Sequence, residues 1–339
     1  GEDGAQLVHP HDKAVIEEAR AIASINDVKW DGDEDLITII GSEIDEAYME
    51  EVCKLSLLDK KVFNQYGDLN IVYSPLHGTG TFLVPETIKR FGINNLHCVE
   101  GQSIPDGSFP TIHSPNPEEP AALEMAIALA NQKGADLVMA TDPDADRVGI
   151  AVRNDKGELT LLNGNQTGSL LIYYLLTMWD KQEEKLPNPY IVKTIVTSYL
   201  LDDIAKAYNV KCYNTLTGFK YIASIIRELE GKETFIAGGE ESFGYMIGDF
   251  VRDKDAVSAC CLIAETAIWA KSRGMGLWQL LKEVHQQFGI YHERLISVTR
   301  KGKKGAEEIK AMMDNFRSQP LKSIDNADVV SIRDFANSS

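Results

Sequence analysis

The sequence predicts an α/β protein built of consecutive layered domains. From about residue 69, apolar runs of strand length alternate with longer amphipathic stretches, and the alternation starts again near Gly164. Strands that alternate with helices argue for helices packed on sheets rather than for a bundle or a sandwich. The chain has 339 residues, room for two or three domains at roughly 150 residues each. Apolar residues make up 44% and charged residues 25%, a globular balance that excludes disorder or collagen-like repeats for the bulk.

In chain order, residues 1–45 hold one helix, 12–23, and an acidic segment, Asp31-Gly32-Asp33-Glu34-Asp35. They read as part of a domain. A buried strand over 69–73 enters a tight polar turn, Ser74-Pro75-Leu76-His77-Gly78-Thr79-Gly80. A helix over 82–90, closed by Gly92, and a strand over 96–99 follow. Asn116 is placed to cap a helix with Pro117 at its first position. Glu118 and Glu119 then fall in the first turn, where the helix dipole favours anions. That helix is expected to reach about residue 132 and to end at Gly134. Strands are expected over 136–140 and 148–152. The second round gives a helix over 170–179, a strand over 190–193, a helix over 200–208, a strand over 211–213, a helix over 221–229 and a strand over 234–237. Long helices at 256–271 and 277–288 close it. Two prolines and several charges make 181–189 an exposed connection. The last 45 residues hold a helix, 306–316, and a strand, 329–332, and again read as incomplete.

Acidic residues outnumber basic ones, 51 to 34, giving a formal charge of −17. Such a chain repels nucleic acid and anionic membrane unless a basic patch intervenes. The densest basic run, Lys301-Gly302-Lys303-Lys304, is short, has no aromatics and reads as a solvated loop. The longest apolar run, 170–179, is half the roughly 20 residues of a membrane helix and reads as a buried one. No basic-then-apolar leader opens the chain. The five cysteines, Cys53, Cys98, Cys212, Cys260 and Cys261, have no zinc spacing and no disulfide framework. They suit a reduced, cytoplasmic compartment.

The strongest chemical signal follows the 136–140 run: Asp142-Pro143-Asp144-Ala145-Asp146-Arg147. In extended backbone, residues two apart face the same way, so Asp142, Asp144 and Asp146 converge. Three like charges at one point need a cation, and carboxylates suit a hard ion such as magnesium. Arg147 adds a bidentate donor suited to phosphate. A calcium EF-hand loop fits poorly, since its glycine and glutamate positions hold Arg147 and Arg153. The second signal, Gly238-Gly239-Glu240-Glu241-Ser242-Phe243-Gly244-Tyr245, also follows a strand. If it is extended, Glu240 and Ser242 share a side, where a carboxylate and a hydroxyl can grip neighbouring hydroxyls of a polyol. Thr215-Leu216-Thr217-Gly218-Phe219-Lys220 lies at a strand-to-helix junction. There the helix N-terminus suits an anion, or Thr217 is simply a cap. Lys193 ends an apolar strand. Lys254, in Arg252-Asp253-Lys254-Asp255, reads in isolation as a surface ion pair. His77 reads as structural.

These segments in this order resemble the phosphohexomutases, the phosphoglucomutase and phosphomannomutase family, over nearly the whole chain. The resemblance implies three-layer α/β domains with mixed sheets, four in all around a cleft, each lending one loop. It implies the end of a first domain at 1–45, a metal-loop domain at 46–163, a sugar-loop domain at 164–295, and the start of a fourth at 296–339. It implies that Asp142, Asp144 and Asp146 hold one Mg2+ and that Arg147 orients the phosphoryl group in transfer. Glu240 and Ser242, with Thr217 and Gly218 nearby, would contact the sugar. Lys254, and less directly Lys193, would serve as proton shuttle or phosphate contact. The implied reaction interconverts hexose 1-phosphate and hexose 6-phosphate through a phosphoserine enzyme, with hexose 1,6-bisphosphate as intermediate and activator. Small hexose phosphates are the expected partners, with neither nucleic acid nor membrane.

Two family segments are missing from the sequence: no serine precedes His-Asn-Pro, and no Arg-x-Ser-Gly-Thr follows residue 296. The chain is therefore expected to be a central fragment that binds magnesium weakly and does not turn over substrate alone. The rival readings are an aspartate-nucleophile phosphatase acting through Asp142 and a non-catalytic module that only holds a metal or sugar phosphate. Within the family, glucose, mannose and pentose phosphates stay open.

Overall fold

Two sheets and one helix shared between them organise residues 1–291. The computed structural model describes residue 1, residues 4–293 and residues 298–335. Residues 1–291 form one compact unit and the remainder a second. Helix α1 (His11–Ala21) is followed by α2 (Ser42–Lys54) and α3 (Lys60–Tyr66). The first sheet then begins with β1 (Ile71–Ser74), α4 (Gly80–Arg90), β2 (Leu96–Cys98), α5 (Glu124–Lys133) and β3 (Leu137–Thr141). It closes with β4 (Val148–Arg153) and β5 (Leu159–Leu162). The strand order is β2-β1-β3-β4-β5. The first three run parallel, with Ile71 opposite Leu96 and Leu137. Strand β4 runs antiparallel to β3, with Thr141 opposite Val148, and β5 turns back antiparallel to β4. The sheet is thus mixed, and its first reversal falls between β3 and β4.

The second sheet repeats the plan. Helix α6 (Gly164–Asp180) leads to β6 (Pro189–Thr194), α7 (Leu200–Ala207), β7 (Lys211–Thr215), α8 (Phe219–Leu229), β8 (Thr234–Gly239) and β9 (Tyr245–Ile247). The order is β7-β6-β8-β9, with β6 parallel to both neighbours and β8 antiparallel to β9. In both sheets the buried parallel strands are short apolar runs, as helices on both faces require. Helices α9 (Ala256–Ser272) and α10 (Leu277–Phe288) complete the unit. Helix α9 is apolar on all sides and buried from Ala256 to Ala270, the pattern of a helix inside a core. It packs on β3 and β4 of the first sheet and on β9 of the second. No helix among the described residues is long and apolar enough to cross a membrane.

The structure corrects several expectations. Asn116 does not cap a long helix. Its Oδ1 accepts the Glu118 amide in a turn at 3.0 Å, and α5 starts only at Glu124 after a single 3-10 turn. Pro120 explains the delay, because the residue before proline is driven out of helical space, and Glu119 is extended (φ −89°, ψ 123°). Gly134 does end the helix, in left-handed geometry. Helices α2 and α3 and the short strands β5 and β9 went unforeseen. In the second unit, Lys303 and Lys304 open helix α11 (Gly302–Ser318) rather than lie in a loop. The expected strand at 329–332 does not form. A hairpin of β10 (Ser323–Ile324) and β11 (Ala327–Asp328) precedes it, turned by Asp325 and Asn326 at positive φ. This is the two-residue turn chemistry of tight hairpins.

Candidate active site

The acidic loop sits where β3 gives way to β4. Buried Thr141 bonds the Tyr73 hydroxyl at 2.8 Å and fixes the strand end. The chain then turns sharply: the Ala145 amide donates to the Asp142 carbonyl at 3.0 Å, and Ala145 takes φ +56°. The three aspartates therefore do not line one side of an extended segment. They converge because the turn folds them inward, so that one carboxylate oxygen from each lies within 4.8 Å of the others. Asp142 is 1% exposed. Its Oδ1 accepts the Asp146 and Arg147 amides at 3.1 and 2.9 Å, and its Oδ2 accepts Arg147 Nε at 2.6 Å. Burial pushes the Asp142 carboxyl up to about 6 against the pull of those Arg147 bonds. Three convergent oxygen donors fit a hard divalent ion.

The Ser74–Gly80 turn supports this loop from below. Leu76 and His77 adopt positive φ, and the His77 ring is held by the Ile104 carbonyl and the Thr111 hydroxyl, a structural role. The Thr79 amide donates to the Pro143 carbonyl at 2.8 Å. Gly78 makes that approach possible, since a Cβ there would lie 2.4 Å from Pro143 Cα.

The glutamate loop between β8 and β9 is likewise a turn, not the extended segment expected. The Glu240 amide donates to the Gly244 carbonyl at 2.9 Å, and Phe243 takes φ +68°. Glu240 is buried, which raises its carboxyl, and it accepts the Gly218 amide at 2.9 Å. The structure thus joins Glu240 to Gly218, which itself caps α8, while exposed Thr217 does not serve as the cap. Ser242 is partly buried in the same turn. Glu241 turns inward and accepts from Thr194 and Thr197 at 3.2 and 3.0 Å.

The two loops are joined to each other. Arg147 and Gly244 form an antiparallel bridge, and the Val148 amide donates to the Phe243 carbonyl at 3.1 Å. The Ala256 amide, at the start of α9, donates to the Ala145 carbonyl at 3.1 Å. Lys254 Nζ lies 2.9 Å from Asp146 Oδ2. Burial would lower this lysine, but the hydrogen bond and charge of Asp146 hold it above its ordinary value. A cavity of about 550 Å³ opens beside the pair, lined by Thr79, Gly80, Asp144, Asp146, Arg252 and Lys254 among others. Lys193 is not drawn into this cluster. It is 0% exposed, its Nζ donates to the Thr197 carbonyl at 3.1 Å, pairs with Asp202 at 3.1 Å and lies over the Tyr199 ring.

Sequence reasoning missed two participants. Glu118 approaches Arg147 Nη1 at 3.4 Å; read as a first-turn helix residue, it carried no signal of this role. Asp255 caps α9 and accepts the Tyr48 hydroxyl at 2.7 Å; the cap was readable from its place before the Ala256 run, the tyrosine was not.

Comparison with known proteins places these elements. Residues 46–157 match the phosphoglucomutase/phosphomannomutase α/β/α domain II, and residues 163–288 match domain III of the same family. Phosphoglucomutases of Staphylococcus aureus strains N315 and MRSA252 are 40% identical over 271 residues, 80% of this chain and 48% of theirs. The chain thus spans about half the length of the curated relatives it matches. Among solved structures, pp63/parafusin (phosphoglucomutase) from Paramecium, in its open form, aligns with TM-score 0.55 at 20% identity, over 72% of this chain and 42% of its own. A phosphoglucomutase/phosphomannomutase family protein from Burkholderia thailandensis aligns with TM-score 0.54 at 20% identity, over 71% and 46%. Both show the same mixed α/β fold. With two consecutive domains of one family matched in order and the acidic and glutamate loops locked together between them, this chain belongs to the phosphoglucomutase/phosphomannomutase family.

Proposed function

We propose that this chain carries the metal and sugar loops of a mutase that moves a phosphoryl group between the 1- and 6-positions of a hexose. The observation that carries the reading is the bridge from Arg147 to Gly244. It joins the three-carboxylate loop to the turn that carries buried Glu240, which supports reading the two loops as one site.

Asp142, Asp144 and Asp146 would hold Mg2+. When bound, the ion neutralises charge on the phosphoryl oxygens in transit. Arg147, tied through Nε to Asp142, is held in one orientation toward a phosphoryl oxygen. Lys254 is the candidate to take and return a proton at a sugar hydroxyl. Glu240 and Ser242 would receive neighbouring sugar hydroxyls, with Thr217 and Gly218 at the same edge. Lys193, enclosed by Thr197, Asp202 and Tyr199, is left with a structural part. The two phosphoryl transfers would pass through a hexose 1,6-bisphosphate that turns over between them. The serine that exchanges the group is not found here in a Ser-His-Asn-Pro segment. The phosphatase reading through a nucleophilic Asp142 finds no support in the family matches, which cover residues 46–157 and 163–288.

Titration calorimetry of the 339-residue chain tests the reading, first with Mg2+ and then with glucose 1,6-bisphosphate in its presence. Asp144→Asn should abolish magnesium binding. Glu240→Gln should weaken sugar bisphosphate binding at least tenfold and leave magnesium binding intact. Wild-type chain that takes up no magnesium would overturn the reading. A panel of glucose, mannose and pentose phosphates as competitors would assign the sugar.

A further inference from the structure

We infer that Lys254 is the resident cation of the acidic loop and competes with a divalent ion for Asp146, so that ion entry releases Lys254 into the cleft. This rests on reading Asp142, Asp144 and Asp146 as the metal ligands, and it adds a coupling that the reading does not contain.

The contact is built rather than incidental. The aliphatic stem of Lys254 crosses directly over Gly244, where a Cβ would sit 2.2 Å from Lys254 Cδ. Its Nζ lies 5.4 Å from the centre of the Phe219 ring. One side chain thus passes between the Gly218–Phe219 junction and the glutamate loop to reach the acidic loop. Its side chain is 15% exposed, and Nζ stands 2.9 Å from Asp146 Oδ2. Arg147 matches the charge of Asp142 at 2.6 Å and reaches Asp146 Oδ1 only at 3.6 Å. Lys254 is therefore the main partner of Asp146, while Asp144 is exposed at the cavity.

The two cations contend for one carboxylate, Asp146. Lys254 has a second anion within reach, Asp253 at 3.4 Å, and Arg147 has Glu118 at 3.4 Å, so neither basic side chain is left without a counter-charge when a divalent ion takes Asp146. Magnesium binds carboxylate oxygen at about 2.0–2.1 Å, and two cations sharing one carboxylate in a half-buried site repel strongly. A landing place exists: Asp253 Oδ1 is 3.4 Å from Nζ, and both residues line the cavity. Displacement would carry the ammonium from the acidic loop to the cleft, coupling seating of the ion to availability of the lysine.

Calorimetry with Mg2+ alone tests this on the wild-type chain, Lys254→Met and Lys254→Arg. The Met variant should bind magnesium about tenfold tighter, equal to about 1.4 kcal/mol. The Arg variant should stay within about twofold of wild type. Equal or weaker binding by the Met variant, with wild type still binding, would overturn the competition alone. Absence of magnesium binding in all three would remove the metal reading and the competition with it. Acetylation of Lys254 followed by mass spectrometry gives a second readout that does not depend on the Lys254 variants. Magnesium should raise Lys254 labelling several-fold in wild type and leave it unchanged in Asp144→Asn. Labelling that falls or stays constant in wild type on magnesium addition would also overturn the inference.

Discussion

Gly78→Ala should damage the acidic loop without touching any of its carboxylates. Gly78 is not at positive φ, so alanine meets no backbone penalty there. The cost comes from space alone. A Cβ at this position would lie 2.4 Å from Pro143 Cα, 2.6 Å from its carbonyl oxygen and 2.8 Å from its carbonyl carbon, whereas ordinary contact begins near 3.4 Å. All three atoms are backbone, and Pro143 has little torsional freedom. Relief requires the loop to move by roughly 1 Å, since overpacked sites shift backbone rather than compress. Such overpacking costs about 2 kcal/mol, which in a unit of this size lowers Tm by about 3 °C. The same movement lengthens the bond from the Thr79 amide to the Pro143 carbonyl and spreads Asp142 from Asp144, so magnesium affinity should fall about tenfold or more. Differential scanning calorimetry and magnesium titration on one preparation read both effects. A Gly78→Ala chain with unchanged Tm and unchanged magnesium affinity would refute the claim that this turn supports the metal loop.

Three further outcomes are expected. Magnesium affinity should drop about tenfold between pH 7 and pH 5, because the Asp142 carboxyl, raised to about 6 by burial, must be ionised to ligate; titrations across that range check it, and a flat profile contradicts it. In the same group, a folded pKa above the unfolded one stabilises the fold fully only below about 3.8, and that contribution is lost as pH rises through 6. Glu265→Leu, on α9, should cost about 3 kcal/mol in urea unfolding, since it strips acceptors from the Leu57 amide and the Ser56 and Tyr174 hydroxyls. Lys193→Met should cost about 2 kcal/mol, leaving partly exposed Asp202 without its cation, while magnesium binding stays within twofold of wild type; a loss of magnesium binding would return Lys193 to the site.

What the sequence revealed and what it hid divide along a physical line. Runs such as 136–140 and 256–271 are apolar enough that their burial follows from composition, so β3 and α9 were legible nearly to the residue. The chemistry at the strand ends was legible too, since carboxylates directly after a buried run have few bland uses. The geometry by which they converge was not. Alternation in an extended chain and a turn with Ala145 at positive φ both bring Asp142 and Asp146 together, and local sequence does not choose between them. Lys193 and Lys254 show the same limit. Each follows or adjoins apolar sequence, yet one is sealed beneath Tyr199 and the other spans two loops. That difference depends on Asp146, more than 100 residues before Lys254, and on Gly244, ten residues before it, neither of which the local pattern marks as a partner. Glu118 was hidden for a third reason: Pro120 delays the helix and frees the glutamate to face Arg147.

Helix α9 explains why loops from two domains behave as one site. Its N-terminal segment holds Lys254 against Asp146, and the Asp255 amide donates to the Tyr245 carbonyl at 2.9 Å, securing the end of the glutamate loop. The next amide, from Ala256, secures the acidic loop at Ala145. Consecutive peptide groups therefore fix both loops, and the cap from Asp255 to the Val257 amide at 3.0 Å holds those peptides in place. Further along, Glu265 ties the same helix to Tyr174 on α6 and to the link between α2 and α3. A helix anchored this way cannot rotate about its axis without breaking hydrogen bonds in a buried setting, each costly to leave unmade. The separation of the carboxylate cluster from Glu240 is consequently set by the core rather than by loop flexibility, as a preorganised site requires. On the function proposed above, a fixed spacing here would require the sugar, rather than this pair of loops, to turn between the two transfers.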